Sequence, residues 1–351
     1  MAQYYNLKVK QVVQETPDAV TLVFEQPETK LRYKSGQFLT LILSINGEKI
    51  RRSYSLCSCA SADNYPAVTI KKVPNGKVSG YVTEQMKEGA MVEVMEPLGT
   101  FTFEPDYNKK RNIVLIAAGS GITPVFSILK EVLYQEPLSS VFLIYGNRKE
   151  SAVIFKEALG KLERENEDRF KFVSVLSQPE NANYVPKGRL NRSFIIKLLE
   201  DFNIPLEEAE YFICGPRGMM EEAEDALNLL RVPACQVYKE SFASTPPEKV
   251  HGAVVEENQD GPKEVTVIYQ GSEYKFPVPT DKSILETALD LDIDLPYSCQ
   301  SGMCTACMGK CVSGKVHLDD PDGLSDKEIE EGYVLTCVGH PVSNDVVIEI
   351  D

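Results

Sequence analysis

The apolar and polar positions along the chain change their period three times. Near the start, strand-length runs such as Val20–Phe24 and Phe38–Ile45 alternate in character and are broken by Gly, Asn and Pro turns. That pattern predicts an antiparallel β-barrel. Further on, the runs Ile113–Ala117, Val141–Tyr145, Phe172–Leu176 and Tyr211–Cys214 are predominantly apolar and are separated by helix-length stretches. Such alternation predicts an α/β domain with an open parallel sheet. The last part begins with strand-like Glu264–Tyr269 and Glu273–Val278, then a helix predicted from Ser283. Ser283 and Glu286 form a capping box, with Ile284, Leu285, Ala288 and Leu289 on the inner face.

Two polar breaks divide these regions. Residues 104–110 (EPDYNKK) separate the first two, and 244–262 (STPPEKVHGAVVEENQDGP) separates the second from the third. The expected layout is a barrel over 1–105, an α/β domain over 111–243, a linker over 244–262 and an α+β domain over 263–351. A tether of that composition and length would have an r.m.s. span of about 25 Å.

Charge sharpens the division. Residues 263–351 hold 17 of the 52 acidic residues and only 6 of the 37 basic ones. An acidic surface repels nucleic acid and can steer a basic protein partner. No apolar run approaches membrane-spanning length and no basic, apolar leader opens the sequence, so a soluble, cytoplasmic protein is expected. In such a chain nine cysteines read as metal ligands and reduced thiols rather than a disulfide framework.

Cys299, Cys304 and Cys307 stand at Cys-x4-Cys-x2-Cys spacing, with Cys337 as a distant fourth. This is the ligand spacing of a plant-type 2Fe–2S cluster. Structural zinc sites more often pair two Cys-x2-Cys hairpins, so the unequal triplet favours the cluster over zinc or buried thiols. Small residues between the cysteines let the backbone wrap closely and aim N–H groups at sulfur. Cys311, in the strand-like Gly309–Val312, reads instead as a small buried hydrophobe.

The segment from Asn112 to Pro124 runs from an apolar strand through Gly119–Ser120–Gly121 into a helix. Thr123 suits the N-cap and Pro124 the first helical position. Glycine there allows close backbone approach, and the helix N-terminus offers N–H groups to a pyrophosphate. Two more strand ends, Tyr145–Arg148 and Phe212–Pro216, fall where open α/β sheets bind ligands. Arg148, Ser177 and Arg189 can hold a 2′-phosphate, which favours NADPH, with NADH as the alternative. Solvated surface charge is an equal reading of the two arginines. In the first region, Arg52–Ser53–Tyr54–Ser55 offers a cation and a flat ring, and the turn around Lys72–Ser79 offers a hydroxyl for phosphate.

Taken in order, Arg52–Ser55, Gly76–Ser79, Ala118–Pro124 and Cys214–Gly215–Pro216 resemble the motifs of the ferredoxin–NADP reductase superfamily. With a plant-type, β-grasp ferredoxin module behind them, the whole chain resembles the reductases of multicomponent oxygenases. The runs LIYGNR (143–148), FICGP (212–216) and GYVLTC (332–337) are similar to those of phenylacetyl-CoA epoxidase reductases. Reductases of the 3-ketosteroid 9α-hydroxylase type share the same domain order.

The resemblance implies a flavin, FAD with FMN as the alternative. Arg52, Ser53, Lys72, Val78 and Ser79 would then lie along it, with Tyr54 against the isoalloxazine and Ser55 near its reactive nitrogen. It also implies that Gly119, Ser120, Gly121 and Thr123 bind nicotinamide-cofactor phosphates, with Cys214, Gly215 and Pro216 near the nicotinamide. Glu240 and Phe242 would reach back to the flavin, making Ser55, Cys214 and Glu240 the catalytic candidates. The chain departs from the pattern at Glu96–Pro97–Leu98–Gly99, where many members carry Gly-Pro-x-Gly. The implied activity is transfer from a nicotinamide through flavin and cluster to an oxygenase component. The alternatives are a reductase of the 3-ketosteroid 9α-hydroxylase type, a general ferredoxin-type reductase and, from another class, a non-catalytic iron–sulfur carrier or redox sensor.

Overall fold

The computed structural model describes residues 3–181, 183–184, 186–242, 261–300, 302–319, 321 and 323–350. Most of the expected linker, 244–260, lies outside them. Two compact units emerge, one built from Tyr4–Ile50 with Tyr54–Phe242, the other from the C-terminal segment together with Arg51–Ser53 in the middle of a strand of the first.

The first half of the larger unit carries β1 (Tyr4–Thr16), β2 (Ala19–Phe24), β3 (Phe38–Ile45), β4 (Glu48–Ser55), β5 (Ala67–Lys71), α1 (Lys77–Gln85) and β6 (Met91–Met95). Its antiparallel sheet has the order β4-β3-β6-β1-β2-β5. A bridge from Leu56 to Val68 brings the two edges together and curls the sheet into a half-barrel. Both faces of β2 and most of β3 are buried, so these strands do not show the solvated face that alternation had suggested. Lys77–Gln85, expected as the end of a turn, is a helix that seats Val78 and Val82 in the barrel core.

The second half holds β7 (Asn112–Ala118), α2 (Ile122–Gln135), β8 (Ser140–Asn147), α3 (Lys156–Glu165), β9 (Phe170–Leu176), α4 (Arg192–Asp201), β10 (Ala209–Gly215), α5 (Arg217–Leu229) and β11 (Val237–Ser241). All five strands are parallel, in the order β11-β10-β7-β8-β9. The apolar runs of β7, β8 and β10 become strands buried on both faces, as interior parallel strands require, while the edge strand β9 is half-buried at Phe172–Ser174. Connections run outward from β7 in both directions, so the switch point lies between β7 and β10. One core cluster joins Leu115, Phe212 and α2 to Cys57, Ala67, Phe101 and Phe103 of the half-barrel.

The C-terminal unit contains β12 (Lys263–Tyr269), β13 (Ser272–Val278), α6 (Ile284–Asp290), β14 (Met308–Ser313), β15 (Val316–Leu318), α7 (Asp326–Glu330), β16 (Tyr333–Leu335), β17 (Gly339–Pro341) and β18 (Val346–Ile350). Its mixed sheet has the order β13-β12-β18-β14-β16. The expected capping box forms: Ser283 Oγ accepts the Glu286 N–H at 3.1 Å, and Glu286 accepts the Ser283 N–H at 2.9 Å. Ile284, Leu285 and Ala288 point inward.

Candidate functional site

The switch point gathers the nicotinamide-type residues. Gly119–Gly121 forms a 3-10 turn running straight into α2, with Gly119 at φ +55°. The helix therefore starts earlier than expected. Gly121, not Thr123, precedes it, and Thr123 and Pro124 are its second and third residues. The Thr123 hydroxyl donates to the Ser120 carbonyl at 3.0 Å. Pro124 still falls in the first turn, where a missing N–H leaves no helical bond unmade. A Cβ on Gly121 would sit 2.1 Å from the Cys214 carbonyl oxygen, so the turns after β7 and β10 pack backbone against backbone.

Register aligns the rim of the sheet. Glu240 pairs with Cys214, Cys214 with Ala117, Ala117 with Tyr145 and Tyr145 with Ser174. The Tyr145 hydroxyl donates to the Gly119 carbonyl at 2.9 Å and steadies the turn. Cys214 is fully buried, and burial together with the nearby Glu240 holds its thiol well above the ordinary range. The half-buried Glu240 has its carboxyl end deep among protein atoms. That burial pushes it up to about 8, against the lowering effect of Ser55, whose hydroxyl donates to Glu240 Oε2 at 3.2 Å. Ser55, Cys214 and Glu240 thus converge from both halves of one unit. Phe242, just beyond, packs on the shared core.

The flavin-type residues are distributed less evenly. Arg52, Ser53, Tyr54 and Ser55 all lie on β4, with Arg52 exposed, Tyr54 half-buried and Ser55 buried. Ser79 lies in the first turn of α1 and is buried, its Oγ accepting the Val73 N–H at 3.2 Å. The Val78 side chain belongs to the core, leaving only its backbone for a ligand. Lys72 pairs with Glu84 of α1 and is not turned to any of the others. A first helical turn carrying a buried hydroxyl suits a phosphate, so Ser79, with Tyr54 and Ser55 on β4, fits a flavin nucleotide.

Pairing of β8 with β9 brings Arg148 beside Ser177. The Ser177 N–H donates to the Asn147 carbonyl at 3.0 Å and the Gln178 N–H to the Arg148 carbonyl at 2.8 Å. Arg189 follows a parallel bridge from Lys187 to Leu176 and reaches the same end of the sheet.

In the C-terminal unit, Gln300 and Gly302 adopt positive φ (55° and 71°) and coil the loop. Gly323 packs so closely that a Cβ would lie 2.9 Å from the Met303 carbonyl carbon. The sulfurs of Cys304 and Cys299 are hydrogen-bond neighbours, and Cys337 neighbours both Cys299 and Cys307. The Gly302 N–H points at Cys337 Sγ, 3.4 Å away. Among the described residues no three His, Cys, Asp or Glu side chains converge as on a single metal ion. Four linked sulfurs with an N–H donor fit a two-iron cluster in their donor chemistry. Cys311 stands apart on β14, half-buried rather than buried, its thiol donating to the Ser313 carbonyl at 3.2 Å.

The fold and these sites define a flavin- and nicotinamide-dependent iron–sulfur oxidoreductase. Residues 5–103 match the oxidoreductase FAD-binding domain, 115–225 the oxidoreductase NAD-binding domain and 267–342 the 2Fe-2S iron-sulfur cluster binding domain. The chain belongs to the family of oxygenase reductase components that join these three domains. It is 36% identical to a subunit of the 1,2-phenylacetyl-CoA epoxidase of Escherichia coli (strain K12), covering 100% of this chain and 99% of that one. It is 35% identical to the ferredoxin reductase component of 3-ketosteroid-9-alpha-monooxygenase from Mycolicibacterium smegmatis, covering 98% and 96%. Phthalate dioxygenase reductase shares the fold with a TM-score of 0.60 at 24% identity, over 99% of this chain and 98% of that chain.

Sequence reasoning missed α1, the hydrogen bonds that converge on Glu131 and the ion pairs of Arg111 with Glu136 and Glu210. Only a polar residue in an otherwise apolar helical face, as at Glu131 in α2, signals such contacts beforehand.

Proposed function

We propose that this chain takes electrons from NADPH and delivers them to an oxygenase of the phenylacetyl-CoA epoxidase type in the cytoplasm. The convergence of Ser55, Cys214 and Glu240 beside the glycine turn carries the reading. Full-length similarity to the epoxidase protein supports the choice of acceptor. Nine cysteines with no disulfide among the described residues suit a reducing compartment.

Bound FAD supplies the conversion of one hydride into two single electrons for the 2Fe–2S cluster. The protein supplies orientation. Ser79 would bind the flavin pyrophosphate, Tyr54 would lie against the ring and Ser55 at its reactive edge, with Arg52 a further candidate for the pyrophosphate. Gly119–Thr123 grips the nicotinamide-cofactor phosphates, while Gly215 and Pro216 shape the nicotinamide pocket beside Cys214. Glu240, neutral below about pH 8, keeps a proton and adds no charge where hydride departs. Cys299, Cys304, Cys307 and Cys337 hold the cluster. Arg148, Ser177 and Arg189 receive the 2′-phosphate, which favours NADPH over NADH.

Reconstitution with candidate oxygenase components tests the assignment. NADPH should bleach flavin and cluster absorbance together and drive epoxidation of phenylacetyl-CoA. Product formed only with a steroid hydroxylase component would move the acceptor to that class, and a protein that bleaches no flavin band would be a carrier or sensor.

A further inference from the structure

The glycine-turn helix does a second task along its flank. Glu131 of α2 is 6% exposed, and its carboxylate accepts three donors from the half-barrel. Ser35 Oγ lies 2.7 Å from Oε2, Cys59 Sγ 3.0 Å from Oε2 and Ser61 Oγ 2.7 Å from Oε1. Burial and this carboxylate push the Cys59 thiol up, which keeps its proton available as a donor. One turn earlier the Ser127 hydroxyl donates to the Ser58 carbonyl at 2.6 Å, and Lys130 pairs with Asp63. Asp63 in turn accepts the Cys59 N–H at 2.7 Å. All these partners except Ser35 lie between Ser58 and Asp63, the stretch that continues directly from Arg52–Ser55.

One end of α2 therefore meets the nicotinamide-type turn while its side grips the loop leaving the flavin-type strand. We propose that Glu131 is a positioning residue for hydride transfer, locking α2 to the 58–63 loop so that nicotinamide and flavin meet in alignment. The hydride leaves the nicotinamide with both electrons, oxidising it and reducing the flavin. Misplacement of reacting groups by about 1 Å can cost on the order of a hundredfold in rate. The apolar contacts of Phe101 and Phe103 with Phe212 hold the halves together without Glu131, but they lack the directionality of three convergent hydrogen bonds.

This inference rests on the flavin and nicotinamide assignments above, and wild-type protein serves as their control. If neither NADPH nor NADH reduces wild-type flavin, those assignments fail, whatever the variant does. The test compares FAD-loaded full-length wild type with Glu131→Gln, which keeps the size but cannot accept as many donors. Stopped-flow reduction at saturating NADPH should slow roughly ten- to a hundredfold. The nicotinamide Kd should change less than about threefold, since the phosphate-binding turn is untouched. The long-wavelength absorbance of a stacked nicotinamide–flavin pair should weaken in parallel, whereas oxidation of photoreduced flavin by ferricyanide should not change. An unaltered saturating rate, or a slower rate with that absorbance intact, overturns the proposal. Should Glu131→Gln fail to hold FAD, the Ser35→Ala/Ser61→Ala double variant is read by the same criteria, and loss of FAD there too refutes a positioning role.

Discussion

Replacing Glu240 with Gln isolates the consequence of burying a carboxyl at the sheet rim. Its rise from 4.5 to about 8 corresponds to roughly 5 kcal/mol of discrimination against the charged form at about 1.4 kcal/mol per unit. Between those two values the folded protein keeps a proton that the unfolded chain has released. Stability from this group is therefore complete below about pH 4.5, falls as pH rises and levels off above about 8. At pH 7 the loss is at most about 3 kcal/mol, and closer to 2 because the Glu240 residue is only half-buried. Glutamine keeps the shape and a partner for Ser55 but does not titrate. The stability gained by Glu240→Gln should therefore be small near pH 5 and reach about 2–3 kcal/mol at pH 8. Urea unfolding of FAD-loaded protein across that range measures the gap. Flavin reduction by NADPH gives a second reading: the wild-type rate should decline above about pH 8 as Glu240 ionises, and the variant should lack that decline. A stability gap that does not change with pH, together with identical rate profiles, would refute the reasoning.

Cys304→Ser should abolish the visible cluster spectrum, whereas Cys311→Ala should leave it intact because that thiol is turned to the Ser313 carbonyl; a cluster lost from the latter would overturn the ligand set. Gly121→Ala forces a methyl group onto the Cys214 carbonyl, so NADPH reduction should fail or the half-domain unfold, which circular dichroism and stopped-flow absorbance separate. Arg148→Ala should lower kcat/KM for NADPH about tenfold or more while sparing NADH, given the ~1.5–3 kcal/mol of a charged hydrogen bond; equal losses would remove the 2′-phosphate role. Acceptor reduction should slow between about 0.05 and 0.5 M salt, because exposed charge is screened over about 8–10 Å, and rates indifferent to salt would count against steering by the acidic unit.

Period and punctuation made most of the architecture legible. Four short apolar runs alternating with helix-length stretches marked the parallel strands, and the capping box at Ser283 fixed a helix start by local chemistry alone. The cysteine spacing and the glycine turn were readable because their geometry is local. By contrast, α1 was obscured by Gly80 and by apolar residues only weakly segregated to one side, so it forms chiefly through packing of Val78 and Val82. Thr123 misled because capping chemistry and a preceding 3-10 turn compete for the same residues. The Ser55–Glu240 and Glu131 contacts join positions 185 and 70–96 residues apart, and only the tertiary fold brings them together.

The pairing of Met308 with Leu335 has a consequence for how the iron centre is built. Cys307 immediately precedes β14 and Cys337 follows β16 by two residues, so this antiparallel register sets the distance between the two sulfurs. Three of the four proposed ligands lie close in sequence, whereas the fourth is brought in by the pairing of β14 with β16. A one-residue slip would turn Leu335 out of the core and carry Cys337 about 3.4 Å along the strand. With those four cysteines as ligands, the metal centre would act as a gauge of strand alignment, since a misregistered chain is left with an incomplete thiolate set.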